Sequence, residues 1–188
     1  TPPPLVDYET REVRVKLPKG QGVLDSFLYV PLGAGPFPAI ILNHGSPRTP
    51  EERAARPRYL TAGPWFARRG FVVLVPARRG YGQSTGPFAE GYGSCTRPNF
   101  LKAGAATATD IRAGLRWLRR QPFVDAGRIL AAGQSAGGFG VLALAAWKPN
   151  GLIAVMNFAG GRGSPADGEN CGVRELTAAF GEFGRLTT

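Results

Sequence analysis

The sequence predicts an α/β fold, with a mostly parallel sheet, an antiparallel hairpin at its N-terminal edge and helices packed on it. Short apolar runs of strand length alternate with segments of helical spacing, an order that calls for parallel crossovers. The first two strand candidates are instead joined by a short turn, as in a hairpin. With 188 residues, 43% of them hydrophobic, the chain can bury a sizeable core, and no linker or repeat divides it. One domain over residues 1–188 is therefore expected.

Each element has its own warrant. Residues 10–17 alternate Val13, Val15 and Leu17 with charged side chains, the pattern of a strand with one wet face. Residues 22–31 form the second strand, and the Pro18-Lys19-Gly20-Gln21-Gly22 segment supplies the turn. Residues 38–43 and 71–75 are continuous apolar runs, as expected of strands buried on both faces of a parallel sheet, and 128–132 and 152–158 repeat the pattern. Between them, 59–69 reads as a short helix. In 107–120, Ile111, Leu115 and Leu118 recur at i, i+4 and i+7 beside a basic stripe of Arg112, Arg116 and Arg119. Residues 136–147 are apolar almost all round, predicting a helix covered on several sides.

Composition excludes some classes of partner. No run approaches the ~20 apolar residues of a membrane span. The formal charge of +10 arises from 23 Lys+Arg against 13 Asp+Glu. A nucleic-acid or anionic-membrane surface would concentrate the arginines, but the pairs Arg68-Arg69, Arg78-Arg79 and Arg119-Arg120 are scattered, which reads as a solvated surface with no nucleic-acid partner. Cys95 and Cys171 both lie in Gly/Pro/Asn-rich, loop-like segments, and Thr1 opens the chain without an initiator Met. This pattern fits an exported, periplasmic or secreted protein with one disulfide; two thiols in a cytoplasmic protein are the alternative.

The chemistry centres on the run Gly133-Gln134-Ser135-Ala136-Gly137-Gly138. It follows an apolar strand and opens a Gly-rich helix, the context in which G-x-S-x-G marks a nucleophile turn. So sharp a turn crowds the flanks of Ser135, so Gly133 and Gly137 must lack a Cβ, and the helix N-terminus lends N–H groups and partial positive charge. Gly138 and Gly140 let that helix lie close to the sheet. A serine hydroxyl needs a positioned base. In the fold this turn belongs to, the order is Ser, Asp/Glu, His. The only histidine, His44, precedes Ser135. The base is therefore expected beyond residue 188, and the chain is expected to be the N-terminal portion of an enzyme.

The stretch V-D-A-G-R-I-L-A-A-G-Q-S-A-G-G at 124–138 resembles the nucleophile region of α/β-hydrolases of the dienelactone hydrolase and prolyl-oligopeptidase-like group, D-x-x-R-I-x-x-x-G-x-S-x-G-G. The segment Asn43-His44-Gly45-Ser46 is similar to the H-G motif after their third strand. That resemblance implies an oxyanion hole from the N–H of Ala136 and an N–H of Gly45 or Ser46. His44, on that loop, is expected to brace it through hydrogen bonds and not to act as base. Residues 76–86, P-A-R-R-G-Y-G-Q-S-T-G, resemble the R-G-x-G-x-S-x-G loop after the fourth strand, which shapes the rim of the site.

Asp167, Glu169 and Glu175 follow Ser135, but the family places its acid after the next strand, so none is assigned. The resemblance implies an α/β-hydrolase sandwich whose C-terminal part is missing: about two strand–helix units, carrying the Asp and the His, with a C-terminal fragment of the same protein as the expected partner. Dienelactone hydrolases proper use a cysteine nucleophile, whereas Ser135 points to a serine esterase acting on small-molecule carboxylic esters without metal or organic cofactor. A peptidase or amidase is the second reading. A non-catalytic hydrolase-like protein is the third, should no base complete the site.

Overall fold

In the computed structural model, which describes residues 4–47, 49–164 and 169–187, strands β1 (Tyr8–Lys16) and β2 (Val23–Pro31) form the expected hairpin. Tyr8 pairs with Pro31 and Lys16 with Val23 across a 3₁₀ turn at Pro18–Gly20. Strand β3 (Phe37–Asn43) leads through helices α1 (Pro50–Ala54) and α2 (Ala62–Ala67) to β4 (Val72–Pro76). A two-stranded ribbon, β5 (Gly93–Ser94) and β6 (Arg97–Pro98), precedes α3 (Phe100–Leu118). Then come β7 (Val124–Gln134), α4 (Ala136–Ala145), β8 (Leu152–Phe158) and α5 (Val173–Thr187).

The main sheet has the order β1-β2-β4-β3-β7-β8. It is antiparallel from β1 to β4 and parallel from β4 to β8. Leu28, Ile41 and Leu74 on one face pack with Ile111, Leu115 and Phe139 of α3 and α4. Tyr29, Ile40 and Val73 on the other pack with Ala67 and Phe66 of α2. The parallel strands end together, and this brings the loops after β3, β4, β7 and β8 to one edge.

Three expectations require correction. The helix expected over 59–69 is confined to Ala62–Ala67, because Tyr59 adopts φ +50° and breaks the helical path. The helix expected from 107 starts at Phe100, where the Asn99 side chain accepts from the Lys102 N–H. Its first turns bury Ala103, Gly104 and Ala108, residues too small to register as an apolar stripe. The run 152–158 is not buried on both faces. As β8 it pairs, among the described residues, with β7 alone, and Ile153 and Phe158 are each 59% exposed.

Candidate active site

Ser135 sits between β7 and α4 with φ +51° and ψ −119°, a conformation that a non-glycine residue holds only where its surroundings enforce it. Three backbone hydrogen bonds do so. The Ser135 N–H donates to Phe158 O at 3.0 Å, and its carbonyl accepts from Phe139 N at 2.9 Å and Gly161 N at 3.1 Å. The side chain is left exposed. A Cβ on Gly133 would come within 2.6 Å of Gly138 N, and one on Gly137 within 2.6 Å of His44 O, so both positions need glycine. The turn thus packs directly on the loop after β3. A Cβ on Gly45 would stand only 3.3 Å from the Ser135 Cβ and 3.8 Å from its Oγ.

Ser46, Ser135 and Ala136 line one cavity of about 540 Å³, together with the segment after β8 that includes Gly161, Arg162 and Gly163. Ala136 is the first residue of α4, among the four whose amides have no acceptor within the helix. A second, apolar cavity of about 360 Å³ lies on the α2 side of the sheet, lined by Tyr59, Phe66, Met156 and Phe158 among others.

His44 is fully engaged. Its Nδ1 lies 2.7 Å from Gly45 O, to which it donates, and its Nε2 accepts from the Arg78 N–H at 3.2 Å. The ring meets Tyr81 edge to face at 4.7 Å. Burial, reinforced by the Arg78 charge, pushes its pKa down to about 3. With both nitrogens committed and protonation suppressed, this imidazole has no lone pair to offer Ser135.

Residues that sequence reasoning left unassigned hold this loop in place. Arg78, fully buried, donates from Nη1 to His44 O at 2.7 Å and from Nε and Nη2 to Glu90. Glu90 also accepts from Tyr81 Oη at 3.1 Å and from Arg162 Nη2. Burial alone would raise the Glu90 carboxyl, but Arg78 and Arg162 outweigh it and hold the pKa down to about 2. Behind them Arg79 donates from its backbone and Nε to Asp110, at 2.9 and 2.8 Å. The doublet Arg78-Arg79, expected on the solvated surface, is instead buried, because Glu90 and Asp110 supply carboxylates inside the fold; a lone Glu90 in a Gly/Pro-rich stretch gave no signal of this.

Cys95 and Cys171 are joined in a disulfide with their Cα atoms 4.9 Å apart. It fastens the β5–β6 ribbon to the segment after β8, where the Cys171 N–H donates to Gly163 O at 2.7 Å. Of the acidic residues after Ser135, Glu175 opens α5 and Glu169 is exposed, whereas Asp167 lies outside the described residues. No cluster of metal-ligating side chains occurs among the described residues, and none of their helices is long and apolar enough to cross a membrane.

A mostly parallel sheet with an N-terminal antiparallel hairpin, and a strained serine at a strand-to-helix turn, define the class as the α/β-hydrolase superfamily. Residues 21–169 match the family model of the X-Pro dipeptidyl-peptidases, and the chain belongs to this S15 family. Among solved structures it is similar to an aminopeptidase from a marine sediment Thaumarchaeota archaeon, with a TM-score of 0.58 and 22% identity over 82% of this chain and 26% of that one. A dienelactone hydrolase-like promiscuous phosphotriesterase from metagenomic libraries gives 0.57 and 22% over 81% and 59%. A CocE/NonD family hydrolase from Staphylococcus aureus gives 0.58 and 18% over 81% and 28%. The chain thus spans between about a quarter and three fifths of the length of these proteins. No curated protein matches it significantly.

Proposed function

We propose that this chain is the nucleophile-bearing part of a serine hydrolase that cleaves carboxylic esters through an acyl-enzyme on Ser135. The observation that carries the reading is the turn itself: an exposed hydroxyl on a backbone at φ +51°, pinned by three hydrogen bonds and opening onto a cavity. Such strain at a solvent-facing polar residue supports a functional role, because a structural turn at this position would relax with glycine. In the proposed reaction Ser135 Oγ attacks the substrate carbonyl, the leaving alcohol departs, and water releases the acyl group. The N–H groups of Ala136 and of Gly45 or Ser46 are proposed to hold the oxyanion, where loss of one donor typically costs about 3–4 kcal/mol of transition-state stabilisation.

His44 braces the oxyanion loop in this account, and the base that deprotonates Ser135 is a histidine outside these 188 residues. The engagement of both nitrogens of the sole histidine supports that assignment. The segment supplying the base, with its acid, would be a C-terminal part of the same protein, and the exported location that the disulfide favours stands as part of the same proposal.

The family match favours a second reading, a peptidase with the same nucleophile. The two are separated by comparing kcat/KM of the full natural chain on 4-nitrophenyl acetate and on Ala-Pro-4-nitroanilide. An esterase turns over the first and leaves the second; efficient cleavage of the anilide would make the peptidase reading the correct one.

A further inference from the structure

The segment that follows β8 touches both loops of the proposed machinery. The Gly161 N–H donates to Ser135 O at 3.1 Å, and the next side chain, Arg162, donates from Nη1 to Ser46 Oγ at 3.3 Å and from Nη2 to Glu90. One residue further, Gly163 O accepts from the Cys171 N–H at 2.7 Å. Residues 161–163 thus form a strap that joins the nucleophile turn, the loop after β3 and the disulfide. All of them line the cavity onto which Ser135 opens. Strand β8 ends at Phe158, so the strap lies outside any helix or strand and depends on these side contacts for its place.

The disulfide is the covalent one of those contacts, and it is well anchored. Cys95 lies in the turn of the β5–β6 ribbon, whose base is fixed where α3 begins: the Asn99 N–H donates to Tyr92 O at 2.6 Å, and the Tyr92 ring stacks on Phe100 at 5.3 Å. The strap packs on the same ring, since a Cβ on Gly163 would come within 2.9 Å of Phe100 Cζ and of Cys171 O. Cys95 is exposed, so a reductant can reach the bond. We propose that Cys95 and Cys171 are positioning residues for the reaction at Ser135: their disulfide holds the strap, and the strap holds the nucleophile turn and the loop after β3 in register. This rests on Ser135 being the nucleophile. A dithiol opens the bond by giving two electrons and two protons to the two sulfurs, leaving two thiols and closing into its own cyclic disulfide. The strap then keeps only its noncovalent contacts.

The test compares the full natural chain before and after dithiothreitol, at a temperature where far-UV circular dichroism shows the reduced protein folded. Misplacement by about 1 Å can cost about a hundredfold in rate, so fluorophosphonate labelling of Ser135 and kcat on 4-nitrophenyl acetate should each fall at least about tenfold, with KM changed less than about twofold. Oxidised glutathione should restore both. The double variant Cys95→Ala/Cys171→Ala should start at the lowered rate and not respond to dithiothreitol. A folded, reduced protein that labels at the original rate overturns the proposal, as does a loss on reduction that persists in the double variant. Should reduction unfold the chain, Arg162→Lys in the oxidised protein decides, because it breaks the forked contact of the strap: slowed labelling supports the strap, and an unchanged rate overturns it. Absence of any label on Ser135 in the oxidised wild type overturns the nucleophile reading and this inference with it.

Discussion

Ser135, Gly137 and His44 meet within a few ångströms, and each makes a separate demand on the chain. A methyl group at Gly137 would press on the carbonyls of Asn43 and His44, which are backbone atoms and cannot swing aside. Gly137→Ala is expected to lower stability by about 1–3 kcal/mol, as overpacking does, and urea unfolding would report it. His44 gives the protein an unusual pH response. Its pKa falls from the ordinary 6.5 to about 3 on folding, so the native state binds fewer protons than the unfolded chain as pH drops below 6.5. Stability is fully present above pH 6.5 and declines towards pH 3. The loss that His44 contributes between pH 6.5 and 5 should amount to about 1–2 kcal/mol. Urea midpoints measured across this range should fall in the wild type and stay nearly level in His44→Asn. Glu90 acts lower, its contribution disappearing as pH falls from 4.5 towards 2.

Helices α3 and α4 show why small residues matter at the next scale. Side chains at Gly104 and Gly140 would collide with Phe183 and Phe139 or with Thr107, so the glycines let α3, α4 and the C-terminal helix approach closely. Phe139 fills the space between them, meeting Phe180 at 5.1 Å and Phe183 at 5.3 Å. Phe139→Ala should cost about 3–5 kcal/mol in denaturant unfolding. The disulfide works on the same scale by closing a separation of 76 residues, which in the chain-entropy model stabilises the fold by about 4 kcal/mol. Cys95→Ser, or reductant added to the wild type, should lower Tm to a similar extent, and the double change should add little further.

Legibility followed the strength of the local pattern. The hairpin and the strands at 38–43, 71–75 and 128–132 were readable because alternation or continuous apolar runs reveal how many faces are covered. Neither α1 nor α5 was assigned from the sequence, although α5 carries a stripe of Leu176, Ala179, Phe180 and Phe183 at i, i+3, i+4 and i+7 and α1 the Thr49–Glu52 capping box. The start of α3 was not readable, since small residues carry no stripe. Ser135 and its glycines were legible for the same reason the turn exists: only glycine fits there. The Arg78–Glu90–Arg162 cluster was not, because its members lie far apart along the chain and meet only through the loops after β4 and β8.

At the scale of the whole molecule, the sheet brings four loops to one edge, and a strained serine, the loop after β3 and an arginine cluster share that edge. The apolar cavity on the α2 face, lined by Asn43, Gln134 and Phe158 among others, belongs to the same end of the molecule. The central claim is that this end carries a nucleophile at Ser135. Intact mass spectrometry of the full natural chain before and after a fluorophosphonate probe tests it most directly. The account predicts one adduct, mapped to Ser135 and absent from Ser135→Ala. A protein left unlabelled, or an adduct that persists in Ser135→Ala, would contradict it.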